Sequence, residues 1–306
     1  MLDGFLNLNK PPGFTSHDCV AKLRRLLGIK KIGHAGTLDP AATGVLPVAI
    51  GRATRLIQYL ESDKAYQAVI RFGLVTTTDD LEGEICQQAP TDHLSLEMIQ
   101  PHLPSFVGTL AQIPPRYSAI QVQGKRLYDL ARRGETVDIP RRTVMVYALD
   151  VLDWYPGNPA ELRLAIACGS GTYIRSIARD LGQVVGTGGT LAHLTRTRSS
   201  GFDLDDSLNF DALTTHIETG DFNPISPTVA LSHLPQLTLT LDQANRWRNG
   251  QKIPLEDHLS LGLPLAQPLR VAAPEQPFIG IAMLRAGESG ATCQVVVPKL
   301  VFHPEG

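Results

Sequence analysis

Apolar and polar residues alternate along much of the first two hundred positions, as they do in half-buried β-strands. The alternation predicts strands at residues 5–8, 45–50, 65–73, 112–124, 144–154, 161–169 and 192–202. Apolar residues at helical spacing predict helices at residues 16–27, 53–60, 95–103, 126–134 and 172–182. Helices scattered among strands of the antiparallel type indicate the α+β class.

The first helix has the clearest end signals. Thr15 or Ser16 can cap its N-terminus through a side-chain oxygen, and Gly28 is a residue type that ends helices. The polar, acidic stretch at residues 76–90 shows no comparable period and is predicted to be a loop.

The composition changes after residue 198. From Ser199 to Asn245 the chain has seven acidic residues, repeated prolines and no lysine or arginine. We place a domain boundary near residue 235, which separates a large domain of residues 1–235 from a small β-rich module of residues 236–306. The module is too short to be a catalytic body. It is predicted to contain a helix at 241–250 and strands at 278–284 and 292–299.

The overall composition is that of a globular protein, with 306 residues of which 43% are hydrophobic and 19% charged. The purest apolar stretch, residues 45–51, is far too short to span a bilayer, and the N-terminus lacks a signal-peptide pattern. Four cysteines at positions 19, 86, 168 and 293 form no CxxC pair, so neither a zinc site nor a disulfide framework is predicted. We therefore expect a cytoplasmic protein without membrane contact.

The net charge of -2 hides a segregation of charge. Residues 1–60 contain eight basic and three acidic side chains, residues 116–142 seven and three, and residues 163–198 five and one. Such blocks beside glycine-rich loops indicate a cleft that follows a phosphate backbone. The alternative is that each block is the solvated face of an amphipathic helix.

The strongest local signal for chemistry is the glycine-rich segment at residues 33–47, GHAGTLDPAATGVLP. Its glycines allow sharp turns and close approach of a ligand. Asp39 precedes a proline, which disfavours helical backbone there, so its carboxylate lies on a turn before a buried strand. It is a candidate nucleophile or base, or else an aspartate that caps a turn. His34 could be a base, a ligand or a stacking ring.

Two other glycine-rich segments fit known cofactor motifs poorly. Residues 169–176, GSGTYIRS, could hold a phosphate at a helix N-terminus but lack the P-loop pattern. Residues 182–190 do not match the dinucleotide fingerprint. We therefore expect no metal ion and no organic cofactor.

Five segments together carry a family resemblance. They are KPPGFTS (10–16), GHAGTLDPAATGVLP (33–47), KAYQAVIRFG (64–73), PPRYSAIQVQGKRLYDLAR (114–132) and GSGTYIRSIARDLG (169–182). In order and spacing they resemble the motifs of the TruB-type tRNA pseudouridine-55 synthases. The resemblance implies the pseudouridine synthase fold, with a mixed, mostly antiparallel central sheet flanked by helices. The C-terminal segment is similar to the small PUA-like RNA-binding module of that family.

The resemblance also implies an activity. A uridine at position 55 in the T arm of tRNA would be flipped out of its loop and isomerised to pseudouridine. The partner would be the tRNA T-arm stem-loop, without an obligatory protein partner, and the enzyme would act as a monomer without a cofactor.

Residue roles follow from matching the motifs. Asp39 is implied to be the catalytic carboxylate, Tyr66 to lie against the uracil ring and serve proton transfer, and Arg175 to pair with Asp39. The implied substrate-binding residues are His34, Tyr173, Leu194 and Lys10.

The sequence departs from the family pattern at two positions. Thr77 stands where an acidic residue is expected, which leaves Asp80 as the acid best placed for a structural role there, and Gln121 stands where a lysine is usual.

Two other functions remain open from the residues alone. A carboxylate-based glycoside hydrolase could use Asp39 with Asp80, but the basic blocks and the 6% aromatic content favour RNA over a sugar-stacking groove. A non-catalytic RNA-binding protein would have no need for Asp39, Tyr66 and Arg175 together.

Overall fold

The computed structural model describes residues 2–118, 138–255, 262–286 and 294–302, together with the backbone of residues 121–122 and 125–126. The strands of the N-terminal two hundred residues are β1 (Gly4–Lys10), β2 (Ile32–His34), β3 (Thr43–Ile50), β4 (Lys64–Phe72), β5 (Leu74–Thr76), β6 (Ile85–Gln88), β7 (Gly108–Gln112), β8 (Gln121–Val122), β9 (Lys125–Arg126), β10 (Arg142–Tyr155), β11 (Glu161–Cys168), β12 (Gly189–Ser199) and β13 (Phe202–Asp203). The main sheet has the order β1-β3-β12-β4-β11-β10-β7, with β2 beside β3 and β13 beside β12. Its neighbours are antiparallel except for β3 and β12, which run parallel. The predicted α+β class with a mixed, mostly antiparallel sheet is confirmed.

The helices that flank this sheet are α1 (Ser16–Leu27), α2 (Leu96–Ile99), α3 (Ile174–Val184), α4 (Phe210–Thr219) and α5 (Pro227–Ala230), and 3-10 turns lie at Gly51–Tyr59, Gln100–Phe106 and Leu204–Asp206. A capping box starts α1, because Thr15 accepts the backbone N–H of Asp18 while the Asp18 carboxylate accepts that of Thr15. Gly28 ends α1 in the left-handed conformation, as predicted. No helix in the described ranges is long and apolar enough to cross a membrane.

The helix α3 fixes the position of the site that follows. It packs on β12 and β4 and buries one apolar face against the core of the main sheet, with Ile174, Ile177, Ala178 and Leu181 at most 3% exposed. Its N-terminus therefore lies over the middle strands of the sheet, which carry residues from two of the predicted motifs.

Three sequence predictions differ from the structure. The predicted loop at residues 76–90 contains β6, which pairs with β5. Every residue of β6 is exposed, so no apolar alternation marks it. The helix predicted at 95–103 is only α2 followed by a 3-10 turn, because Pro101 and Pro104 interrupt it. Residues 53–60 form a 3-10 turn instead of an α-helix. The helix predicted at 126–134 lies outside the described residues.

A second sheet follows residue 235. Its strands are β14 (Gln236–Thr238), β15 (Ile253–Leu255), β16 (Pro268–Ala273), β17 (Gln276–Ala286) and β18 (Gln294–Val301), in the order β14-β16-β17-β18-β15, and the helix α6 (Leu241–Arg248) packs against it through the buried Trp247. Phe278 and Ile281 of this sheet share a buried cluster with Phe5 and Val45 of the main sheet. The two sheets therefore meet through an apolar core, and the division at residue 235 stays a prediction.

Candidate functional site

A cavity of about 650 Å³ lies where the glycine-rich loop after β2, the start of β4 and the N-terminus of α3 converge. Five of the predicted site residues line it: Asp39, Tyr66, Tyr173, Arg175 and Leu194. They come from four separate segments of the chain, so the fold brings together what the sequence spreads over more than 150 positions.

The loop that carries Asp39 is held on both sides of that residue. The buried Ser16 hydroxyl accepts the N–H of Leu38 at 2.9 Å, and the N–H of Gly13 donates to the carbonyl of Pro40 at 2.9 Å. Gly36 turns the chain with a φ of 95°, a conformation that favours glycine. The carboxylate of Asp39 is therefore presented from a fixed backbone.

Arg175 joins two carboxylates at the wall of the cavity. Its Nε lies 3.0 Å from Oδ2 of Asp39 and its Nη1 lies 3.3 Å from Oδ2 of Asp80. The guanidinium also donates to the backbone carbonyls of Thr78 and Tyr117, each at 3.0 Å. The Arg175 side chain is only 6% exposed, whereas Asp39 is 40% exposed. The arrangement aims a carboxylate into the cavity and leaves its cationic partner behind it.

Asp80 is the acid that completes this network. Thr78 donates its hydroxyl to the Asp80 carboxylate, which also accepts the N–H of Glu82 at 3.1 Å. Asp80 therefore binds Arg175 at Nη1, whereas Asp39 binds it at Nε. This is the structural role for which the sequence made Asp80 the best candidate, since Thr77 is not acidic.

The surroundings of Asp39 make its carboxylate more basic than usual. Loss of water around it raises the pKa of Asp39, the negative charge of Asp80 acts in the same direction, and Arg175 opposes both. A carboxylate with a raised pKa and a fixed orientation is suited to accept a proton or to attack an electrophilic carbon.

Two aromatic residues shape the cavity. Tyr66 on β4 is 7% exposed, and burial raises the pKa of its phenol. Tyr173 precedes α3 and is fixed by Gln112, which accepts its N–H at 2.8 Å and donates to its carbonyl at 3.0 Å. Burial also raises the pKa of Tyr173. Both phenols are therefore neutral groups that can contact a flat ring and still offer a polar end.

Lys10 and His34 do not lie on the cavity wall. Lys10 is fully buried, and its Nζ donates to the carbonyls of Pro11, Phe14 and Pro40 at 2.6–3.1 Å. Lys10 therefore supports the Asp39 loop through Pro40, and its role in substrate binding stays a prediction. His34 packs edge-on against His17 with ring centres 5.2 Å apart, and it is His17 that lines the cavity.

Among the lining residues with basic or acidic side chains, the sequence analysis missed three: His17, Lys64 and Glu82. A signal existed for Lys64, since residues two apart in a strand share a face and Lys64 stands two positions before Tyr66. His17 directly follows the segment of residues 10–16, and Glu82 lies in the acidic stretch of residues 76–90. Neither residue belongs to one of the family motifs.

The arginines of residues 163–198 are less available to phosphates than the sequence indicated. Arg175 and Arg196 are buried. The other three are within 4.0 Å of carboxylates: Arg163 of Asp153, Arg179 of Asp79 and Asp180, and Arg198 of Glu61 and Asp203. Arg175 and Arg196 therefore serve internal structure, whereas for Arg163 and Arg198, which are 40% and 54% exposed, a phosphate contact stays a prediction.

The described residues contain no group of three or more His, Cys, Asp or Glu side chains that could hold a metal ion. Cys19, Cys86 and Cys168 are free thiols.

Comparisons with known proteins agree on one family. The family model for the TruB family pseudouridylate synthase N-terminal domain matches residues 24–174, and that for the pseudouridine synthase II TruB C-terminal region matches residues 235–299. Two proteins named tRNA pseudouridine synthase B, from Trichormus variabilis and from Nostoc sp. strain PCC 7120, are 55% and 56% identical over 99% of both chains.

Solved structures share the fold. A crystal structure of a Cbf5-Nop10-Gar1 complex matches with a TM-score of 0.73 and 25% identity over 98% of this chain and 85% of the other. An H/ACA RNP bound to a substrate RNA containing 2'-deoxyuridine matches with a TM-score of 0.72 and 24% identity over the same shares.

Proposed function

Because this chain belongs to the TruB family of pseudouridylate synthases, we propose that it isomerises uridine 55 in the T arm of tRNA to pseudouridine, with Asp39 as the catalytic carboxylate. The observation that carries the proposal is the pairing of Asp39 with Arg175 at 3.0 Å on the wall of a cavity that Tyr66 and Tyr173 also line. The chain is thus an isomerase that acts on tRNA.

The isomerisation exchanges one bond to the ribose for another. The bond between C1' and N1 of the uracil breaks, the ring turns, and a bond between C1' and C5 forms, while a proton leaves C5 and N1 gains one. No external reactant is consumed. A turning ring needs a pocket that holds it without fixing one edge, and a cavity with Tyr66, Tyr173 and Leu194 on its walls fits that need.

The uridine must leave its loop before Asp39 can reach it. Flipping a nucleotide out costs a few kcal/mol, which stacking and phosphate contacts offset. Three exposed cations lie on α1 or between α1 and the glycine-rich segment of residues 33–47: Arg25, Lys30 and Lys31. We propose that this face of the N-terminal region, together with the module of residues 236–306, contacts the tRNA, and that the catalytic domain is residues 1–235. The protein would act in the cytoplasm as a monomer.

The geometry disfavours the two other functions. A glycoside hydrolase needs two carboxylates that face the sugar from opposite sides, but Asp39 and Asp80 both pair with the one guanidinium of Arg175, and the Asp80 side chain is only 13% exposed. A protein that only binds RNA gains nothing from a carboxylate that weakens attraction to phosphates in its own binding cavity.

The decisive experiment is turnover of an unmodified tRNA transcript followed by mapping of pseudouridine by mass spectrometry. We expect one pseudouridine, at position 55, and the same product from a T-arm stem-loop alone. A transcript with cytidine at position 55 is the control and should gain no pseudouridine. Modification at another position would overturn the T-arm assignment, and absence of any product would overturn the activity.

Lys64 should contribute one phosphate contact. It lies half-buried at the cavity wall, no ion pair of its ammonium is found within the described part of the chain, and burial followed by the charge of Arg196 lowers the pKa of Lys64. We expect Lys64→Met to weaken binding of a T-arm stem-loop and to make the slope of log K against log salt shallower by about 0.7 to 0.9. Filter binding at several salt concentrations measures the slope. Lys64→Arg keeps the charge and should keep the slope, and an unchanged slope in Lys64→Met would refute the contact.

The rate of isomerisation should fall on acidification with a midpoint above 3.8, the ordinary value for aspartate, because desolvation and Asp80 raise the pKa of Asp39. Single-turnover rates between about pH 4 and 8 give the midpoint. Asp80→Asn removes a neighbouring negative charge and leaves Arg175 to Asp39 alone, so the midpoint should move to lower pH even if the plateau rate drops. A midpoint that moves upward in Asp80→Asn would contradict this electrostatic account.

A further inference from the structure

A second arginine at the site has no role in the function proposed above. Arg196 on β12 has a side chain with no solvent exposure. Its Nε donates to the carbonyl of Val45 at 2.7 Å, its Nη1 to that of Thr37 at 3.3 Å and its Nη2 to that of Gly36 at 3.1 Å. One guanidinium therefore binds the Asp39 loop on both sides of the catalytic residue.

The charge of Arg196 is not balanced by a carboxylate. Within the described residues no aspartate or glutamate lies within 4.0 Å of it, in contrast to Arg175, which contacts two. A buried cation without an anion destabilises a fold unless backbone dipoles satisfy it. Here three backbone carbonyls accept hydrogen bonds from the guanidinium. The loop backbone must therefore keep its geometry for the buried charge to stay hydrogen-bonded.

The strand register places Arg196 between the two halves of the site. It is the partner of Tyr66 across the antiparallel pair β4 and β12, and of Gly44 across the parallel pair β3 and β12. At Gly44 the two backbones approach so closely that a Cβ would lie 2.2 Å from the carbonyl oxygen of Arg196. Arg196 therefore contacts both the strand that follows the Asp39 loop and the strand that carries Tyr66.

Arg196 also acts on the Tyr66 hydroxyl. Burial raises the pKa of Tyr66, and the positive charge and hydrogen bonding of Arg196 lower it in opposition. The charge of the guanidinium therefore opposes the effect of burial on this phenol.

We propose that Arg196 is a positioning residue of the active site, whose buried and carboxylate-free guanidinium fixes the backbone around Asp39 relative to the strand that carries Tyr66. The inference rests on the proposed function, since it assumes that Asp39 and Tyr66 act on the flipped uridine. Unlike Arg175, which contacts the carboxylate of Asp39, Arg196 acts only through the backbone of the loop and through Tyr66.

The test is Arg196→Lys, because an ammonium keeps the charge but lacks the planar fork that spans three carbonyls. We expect the single-turnover rate to fall about 100-fold, the loss that small displacements of catalytic groups produce. The Kd for a T-arm stem-loop with cytidine at the target position should stay close to that of the unaltered chain, because no atom of Arg196 reaches solvent. If Arg196→Lys does not fold, Arg196→Gln is measured in its place with the same two readouts.

Arg270 supplies the matched control. Its guanidinium also donates to three backbone carbonyls, those of Leu234, Thr228 and Ser232 at 2.9, 2.9 and 3.4 Å, but it lies outside the site. Arg270→Lys should lower thermal stability and, with a saturating concentration of an isolated T-arm stem-loop, leave the single-turnover rate unchanged at temperatures where the chain is folded. Equal losses of rate in both variants, or no loss in Arg196→Lys, would overturn the inference while product formation by the unaltered chain keeps the proposed function intact.

A double-mutant cycle separates positioning from general damage. If Arg196 acts through Tyr66, then Tyr66→Phe should cost less in the Arg196→Lys background than in the unaltered chain. Additive losses would assign Arg196 a structural role only and would overturn its action on Tyr66.

Discussion

Replacing Asp39 with asparagine is expected to reduce pseudouridine formation by at least about 10⁴-fold, the scale of losing a group that takes part directly in chemistry. An amide has nearly the same shape as the carboxylate and can still lie beside Arg175, but it cannot take up a proton or attack carbon. Single-turnover assays on a T-arm stem-loop with mass spectrometry of the product give the rate. Binding of the stem-loop should stay within about tenfold, since phosphate contacts dominate affinity for RNA.

Stability distinguishes this loss of chemistry from loss of the fold. A carboxylate whose folded pKa is raised destabilises the folded state progressively as pH rises above its unfolded value, and the penalty is complete above the folded pKa. At pH 7 Asp39→Asn removes that penalty, so its Tm should equal or exceed that of the unaltered chain. Tm values from circular dichroism at pH 7 test this.

Asp153 offers a matched aspartate outside the cavity. Its side chain is 44% exposed and pairs with Arg163 on the sheet surface, so Asp153→Asn should keep full activity. Turnover retained by Asp39→Asn would refute the catalytic assignment, whereas a fall in Tm with loss of activity would show that Asp39 is needed for folding.

The parts of the fold that were predictable from sequence depend on local rules. Thr15 and Gly28 bound α1 because capping and left-handed backbone are decided within a few residues. β6 was missed because every one of its side chains is exposed and its pairing with β5 leaves no apolar period in the sequence. α2 is shorter than its helical spacing predicts, because Pro101 and Pro104 interrupt the α-helical hydrogen bonds.

Local sequence rules predicted less of the site than of the fold. The glycine-rich loop made Asp39 a candidate on its own, but only the family resemblance added Tyr66 and Arg175, because their proximity to Asp39 depends on long-range packing that no local pattern contains. A count of basic residues does not show which of them are buried, and Lys10 and Arg196 are both fully buried. Both bind backbone carbonyls of the Asp39 loop, and the fold uses them as internal supports.

Arg175→Lys is expected to lower the single-turnover rate about 100- to 1000-fold, the usual loss when a preorganised charge partner is removed from an active site. An ammonium cannot bridge Asp39 and Asp80 while also donating to the carbonyls of Thr78 and Tyr117. The two carboxylates would then repel each other more strongly, which raises the pKa of Asp39 further. The acid limb of the rate profile should therefore move to higher pH.

Arg179 is the matched control, since it lies one helical turn further along α3 and pairs with Asp79 and Asp180 outside the cavity. Arg179→Lys should keep most of the activity. Lysine keeps the charge but loses the hydrogen bonds of the planar guanidinium, so rates are compared only at temperatures where near-ultraviolet circular dichroism shows both variants folded. Arg175→Met leaves the buried Asp80 carboxylate without its cation and should lower stability. Adding Asp80→Asn removes that charge, so the double variant should recover stability relative to Arg175→Met and remain inactive. Recovery of activity in that double variant would mean that Arg175 serves only to neutralise Asp80, and its pairing with Asp39 would then have no part in catalysis.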